Sequence, residues 1–234
     1  MPVAAIIQRN LNTVRDGIAA ICEKSSRSRD DVQLIAVTKY AELEWVQALI
    51  ELGQTRLGES RPQQLSERVE QLPESVEWHM IGHLQRNKVR PVLETGAVIH
   101  SVDSEKLLRR IERISDELDV MVRIFLEVNI SGEETKHGFA PDEVPAILPV
   151  LAECPHIETL GLMTMAPYSD DPEEARPYFR QVRVLQDRLN AELSAENQFQ
   201  SLSMGMSGDF TVAIEEGATH IRIGSALFEG LGRD

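Results

Sequence analysis

Eight short apolar runs recur along the chain, and helical periodicity fills most of the intervals between them. The runs occupy 34–38, 55–58, 77–81, 97–101, 121–128, 157–163, 200–204 and 220–223. Between them, 43–52, 63–71, 104–118 and 172–193 carry apolar residues three and four positions apart, and Phe179, Val182, Leu185 and Leu189 form one such stripe. Strands that alternate with helices pair in parallel, because each helix returns the chain to the edge where the next strand begins. Eight repeats favour closure into a (β/α)8 barrel, with an open doubly wound sheet as the alternative. Val3, Ile6, Ile7, Leu11, Val14, Ile18 and Ile21 predict an extra helix ahead of the first strand. Pro145 and Pro149 make the helix after the fifth strand the weakest element, and 210–216 has room for only a short one. At 234 residues, with 42% hydrophobic content, the chain has the length of one such barrel. No low-complexity segment or linker divides it, so 1–234 reads as a single domain.

A barrel places its chemistry at the C-terminal ends of its strands and in the loops that follow. The polar residues meet that demand. Lys39 follows the first run, Glu59 and Ser60 the second, Gly82 and His83 the third, Asp103 the fourth and Asn129 the fifth. Met163-Thr164-Met165, Ser207 and Gly224-Ser225 complete the ring. No G-x-G-x-x-G or Walker-type loop follows a strand, so the usual nucleotide signatures are missing.

Lys39 closes the apolar run Leu34-Ile35-Ala36-Val37-Thr38, where an amine on an apolar stem can act as a nucleophile toward an aldehyde. A strand-end lysine more often simply reaches solvent. The turns Met206-Ser207-Gly208-Asp209 and Arg222-Ile223-Gly224-Ser225 tip the balance, because small residues there let backbone N–H groups converge on a phosphate. They follow the seventh and eighth strands, where barrels frequently hold phosphate. An aldehyde and a phosphate in one molecule suggest pyridoxal phosphate. Arg222 alternates with Ile221 and Ile223, so it is expected inside the barrel, either against a buried carboxylate or donating to the pyridine nitrogen of such a ligand. A guanidinium there keeps that nitrogen unprotonated and weakens the ring as an electron sink.

Other features carry less. His79 and His83 have the spacing of two metal ligands on a helix, but Gly82 and the strand-like run through Ile81 argue against a helix, and no metal site is expected. Gln85-Arg86-Asn87-Lys88 with Arg90 reads as a solvated helix start, and Lys136 and His137 as part of a loop at the mouth. With 38 acidic residues against 24 basic ones, the net charge of -14 opposes non-specific attraction to nucleic acid or to an anionic membrane. Cys22 and Cys154 lack metal-ligand spacing and fit reduced thiols. No leader or membrane-spanning stretch is apparent, so a cytoplasmic location is expected, and nothing demands more than a monomer.

The segments Ala36-Val37-Thr38-Lys39, Leu57-Gly58-Glu59, Trp78-His79-Met80-Ile81-Gly82-His83-Leu84-Gln85-Arg86-Asn87-Lys88 and His100-Ser101-Val102-Asp103-Ser104 closely resemble the pyridoxal phosphate homeostasis proteins, the YggS or PROSC family. So do 128–138, Gly161-Leu162-Met163-Thr164-Met165-Ala166-Pro167, 202–210 and His220-Ile221-Arg222-Ile223-Gly224-Ser225-Ala226-Leu227-Phe228, so that the resemblance covers nearly the whole chain. It implies a barrel of the alanine-racemase N-terminal type, with Lys39 as the internal aldimine lysine and Arg222 at the pyridine nitrogen. Ser207, Gly224 and Ser225 then surround the phosphate. It also implies a cofactor carrier active in intracellular pyridoxal phosphate homeostasis and delivery, with PLP-dependent apoenzymes as partners. A racemase-like enzyme is the alternative, and Schiff-base chemistry on a sugar phosphate a third reading. Against the racemase, the chain has only Tyr40, Tyr168 and Tyr178 from which to draw an opposing base, and Tyr40 is expected to point away from Lys39. Two positions depart from the family pattern: Ser60 replaces the usual asparagine, and Glu229 stands where glycine is common.

Overall fold

The computed structural model describes residues 2–133 and 135–232. The chain opens with helix α1 (Val3–Lys24), whose buried residues Ile7, Leu11, Val14, Ile18 and Cys22 form the face that periodicity predicts. Then follow β1 (Gln33–Val37), α2 (Leu43–Glu51), β2 (Arg56–Glu59), α3 (Pro62–Gln71), β3 (Glu77–Met80), α4 (Val89–Leu93), β4 (Val98–Val102) and α5 (Glu105–Leu118). The second half contains β5 (Val122–Glu127), α6 (Val144–Ala152), β6 (Ile157–Met163), α7 (Arg176–Asn190), β7 (Ser201–Ser203), α8 (Phe210–Glu215) and β8 (His220–Ile223). The strands form a closed parallel barrel in sequence order, and β1 pairs with β8. That closure excludes the open doubly wound sheet.

Local chemistry accounts for the helix limits. Ser104 accepts the Leu107 N–H at 3.4 Å to start α5, and Asp119 ends it in the left-handed conformation at φ 53. The stretch 172–193 is not one helix. Pro172–Ala175 is a 3-10 turn opened by Asp171, which accepts the Glu173 N–H, and α7 begins afresh at Arg176. Pro177 lacks an N–H, which costs nothing in the first turn of a helix and is costly further in. Pro145 lies in the first turn of α6 for the same reason, and α6 continues past Pro149 to Ala152.

Most of the apolar core lies between the strands and the outer helices. Inside the barrel the apolar cluster is small: Val98, Phe125 and Met163, with Leu160 against them. Much of the rest of the interior is polar, although Ile35 also faces inward. Glu77 pairs with Arg56 at 3.0 Å and Arg123 at 3.2 Å on the N-terminal side, and His79, His100 and His220 sit around Phe125 in the middle. Burial lowers the pKa of all three histidines, His220 to about 4, so they are neutral at physiological pH. Neutral imidazoles fill the barrel as flat, hydrogen-bonding rings without adding charge beneath the mouth.

Candidate functional site

The expected site residues lie in or just past β8, β1 and β7, which neighbour one another in the barrel. In the parallel register Ile35 is opposite Arg222 and Ala36 opposite Ile223, so Ile35 and Arg222 share the inner side of the barrel. The Thr38 N–H continues the ladder onto Gly58 O at 2.9 Å, one residue past β1, and Lys39 follows at the mouth where the pairing ends. Lys39 is half-buried. Its Nζ lies 5.2 Å from the centre of the Tyr40 ring, a cation–π distance, so Tyr40 does not point away from the lysine. The error was conformational: neighbouring side chains leave a strand in opposite directions, but beyond the strand end the turn at Thr38–Ala41 brings the two together.

Arg222 is buried, at 4% exposure, yet well bonded. One terminal nitrogen donates to Ser203 Oγ at 2.6 Å and the other to the Thr164 carbonyl at 2.9 Å. Burial lowers its pKa to about 10, opposed by Asp209 and Glu127, and it stays charged at neutral pH. A guanidinium only donates, so Ser203 Oγ must accept from it, and the hydroxyl proton is free to reach His100 Nδ1 at 2.9 Å. His100 Nε2 meets His79 Nδ1 at 2.9 Å, and His79 Nε2 is left buried without a partner among the described residues. Arg222 is therefore held at the head of a serine–histidine–histidine row.

Ser207 and Gly224 meet directly. Gly224 N–H and Ala226 N–H both point at Ser207 Oγ, at 3.3 and 3.5 Å. Both contacts are long, and two donors converging on one oxygen form a cradle of the kind a phosphate oxygen occupies. Ser225, between them in sequence, is exposed. The turn before Ser207 requires Gly205, which adopts φ +94 and whose added Cβ would lie 2.5 Å from the Ala213 Cβ. An added Cβ at Gly224 would instead meet Val37 Cβ at an ordinary 3.4 Å, so a larger side chain there presses on β1 beside Lys39.

Several contributors have no role in the sequence reading. Thr38 donates to Glu59 Oε1 at 2.6 Å, while Glu59 Oε2 is buried with no partner among the described residues. Burial raises the pKa of Glu59, with the Thr38 bond and the charges of Arg68 and Lys39 opposing. Arg68 on α3 fastens the turn after Lys39 through Ala41 O at 2.6 Å. Glu127 at the end of β5 is buried, and its pKa rises to about 7, chiefly through burial and also through Asp103, with Arg222 opposing. The tail carrying Glu229 is tied back to α1, since Asn10 Nδ2 donates to Leu227 O and Glu229 O. Ser60 packs its backbone against Gly82, and nothing in the structure explains its replacement of asparagine.

Across the mouth lies a cavity of about 810 Å³ lined by the ends of β3 and β4 and the loop after β5, including His83, Arg86, Asp103, Lys106, Lys136 and His137. None of Lys39, Ser207, Arg222 or Gly224 lines it. The reactive residues mark the candidate site, and volume alone does not. Among the described residues no helix is long and apolar enough to cross a membrane.

The alanine racemase N-terminal domain model matches residues 9–231. A pyridoxal phosphate homeostasis protein of Aquifex aeolicus is 38% identical over 219 residues, covering 93% of this chain and 95% of the relative. Among solved structures, an unknown protein from Bifidobacterium adolescentis superposes with a TM-score of 0.91 at 34% identity, covering 97% of this chain and 96% of that one. PipY of Synechococcus elongatus with PLP bound superposes with a TM-score of 0.81 at 33% identity, covering 95% and 99% of the two chains.

Proposed function

We propose that this chain, which belongs to the alanine racemase N-terminal domain family and within it to the pyridoxal phosphate homeostasis proteins, binds pyridoxal 5'-phosphate and holds it reversibly on Lys39. The reading is supported by Arg222 on the inner side of β8, Lys39 just past the end of the neighbouring β1, and the cradle of Ser207, Gly224 and Ala226 after β7 and β8. The cofactor supplies an aldehyde, a pyridine ring and a phosphate. The Lys39 amine would be the chain's nucleophile toward that aldehyde, a condensation that would release one water and be reversed by hydrolysis. The remaining N–H groups of Arg222 would donate to an unprotonated pyridine nitrogen, while the Ser203 and Thr164 contacts fix the guanidinium. Gly224 N–H and Ala226 N–H, which point at Ser207 Oγ, would hold the phosphate, with Ser225 at the rim.

A carrier that holds the aldehyde as a reversible Schiff base keeps it from unrelated amines, and release by hydrolysis delivers it to PLP-dependent apoenzymes in the cytoplasm. The same residues support the carrier over a racemase-like enzyme. Racemisation needs bases on opposed faces of a substrate carbon, and Lys39 and Tyr40 come from consecutive positions. Tyr168 is 91% exposed and bonds to Asp170, and Tyr178 packs on the helix-side core. Borohydride reduction of the loaded chain, followed by peptide mapping, tests the reading. A pyridoxyl group is expected on the peptide containing Lys39, with loss of the visible absorption band in Lys39→Ala. An adduct found solely on another lysine of the wild-type chain overturns it.

A further inference from the structure

We propose that His83, Asp103 and His137 form a binding site for a divalent transition-metal ion of the zinc type at the barrel mouth. The residues follow three consecutive strands, β3, β4 and β5, whose parallel pairing brings their C-terminal loops together. His83 Nδ1 lies 3.1 Å from Asp103 Oδ2, and His137 Nδ1 lies 3.8 Å from the same oxygen. One donor atom from each residue falls within 4.8 Å of the others. A tetrahedral zinc ion with bonds of about 2.1 Å holds its donors about 3.4 Å apart, close to the 3.1 and 3.8 Å between the imidazole nitrogens and Asp103 Oδ2. Both Nδ1 atoms approach the same Asp103 oxygen, and the rings, now stacked at 3.9 Å with an interplanar angle of 16°, splay apart when each in-plane lone pair meets one ion. Two imidazoles and a carboxylate suit zinc and its neighbours better than magnesium or calcium, which prefer all-oxygen shells.

The ligands are held by a supporting layer. Ser104 Oγ donates to Asp103 Oδ1 at 3.0 Å, which leaves Oδ2 to the histidines. Asp103 is itself largely buried, with its side chain 11% exposed. The loop bearing His137 is organised by Asn129, whose amide donates to Glu133 O and Lys136 O and whose Oδ1 accepts from Ser131 Oγ and Gly132 N–H. Gly138, next to His137, adopts φ +116 with its Cα pressed so close that an added Cβ would lie 2.7 Å from Asn129 N. All three ligands line the 810 Å³ cavity. Three protein donors leave a tetrahedral position for water. A bound ion pins the loop after β5 to the ends of β3 and β4, on the side of the mouth away from Lys39. The inference does not rest on the cofactor reading. It departs from the expectation of no metal site, which considered His79 and His83 together; His79 lies inside the barrel and bonds to His100.

The test uses the full chain without a histidine tag, stripped with chelator and dialysed. Titration with Zn2+ by calorimetry, and with Co2+ followed by visible absorption, is expected to saturate at one ion per chain. His83→Gln and His137→Gln, both at exposed positions, are expected to weaken binding at least about tenfold while leaving circular dichroism unchanged. His156→Gln is the control, because His156 also pairs with carboxylates, Glu112 and Asp116. Absence of saturable binding below about 100 µM metal, or binding unaffected by both ligand substitutions, overturns the proposal.

Discussion

Replacing Glu127 with glutamine should stabilise the chain at alkaline pH and do little in acid. Glu127 is buried at the end of β5, and its folded-state pKa of about 7 stands above the ordinary 4.5. Burial is the largest cause, the charge of Asp103 adds to it, and the attraction of Arg222 opposes it without winning. For an acid whose pKa is raised on folding, the folded chain keeps its proton over a range where the unfolded chain has released it. Stability is therefore greatest below about pH 4.5 as far as this group is concerned, falls as pH rises toward 7, and carries the full penalty above that. The gap between 4.5 and about 7, at about 1.4 kcal/mol per pKa unit, amounts to about 3 kcal/mol. Glutamine has the shape and hydrogen-bonding capacity of the protonated acid and cannot ionise. Urea unfolding of Glu127→Gln and wild type at about pH 4.5 and about pH 8 should show the variant gaining about 3 kcal/mol more at the higher pH. A gain that is the same at both pH values, or a variant less stable than wild type at the higher one, refutes the argument. The second result would mean that the Glu127–Arg222 attraction outweighs desolvation.

Ser207→Ala should weaken pyridoxal phosphate more than pyridoxal, as read by spectroscopic titration, because it disturbs the turn whose N–H groups face the phosphate; equal weakening of both ligands would point to a general defect. Gly205→Ala should cost about 2 kcal/mol or more in urea unfolding, since it combines a left-handed backbone with a clash on Ala213, and near-neutral behaviour would show that α8 can retreat. Ser203→Ala should leave borohydride trapping on Lys39 intact but shift the absorption maximum of the loaded chain, because Arg222 and His100 lose the oxygen between them; an unchanged spectrum would remove the serine–histidine row from the electronics of the site. Loaded chain offered both enantiomers of alanine should show no robust α-proton exchange, and turnover abolished by Lys39→Ala would overturn the carrier reading.

Periodicity in the sequence determined the order of the elements, the number of strands and the inward aim of Arg222, because each depends on residues a few positions apart and on the two-residue repeat of a strand. Placing Lys39, Ser207, Gly224 and Ser225 at strand ends needed no more than that. Where a residue's partner lies across the barrel, the same reasoning stops. Arg222 is fixed by Ser203 and by the carbonyl of Thr164, 58 residues away, and that pairing depends on the register in which the strands close. Tertiary pairing also brings Glu127 within the influence of Asp103 and Arg222, leaves Glu59 with one oxygen unpartnered among the described residues, and gathers His83, Asp103 and His137 from the loops after three neighbouring strands. Tyr40 turned toward Lys39 because a side chain beyond the end of a strand no longer obeys its alternation. Local pattern thus decided which residues reach the mouth, and the register of a closed sheet decided which of them meet.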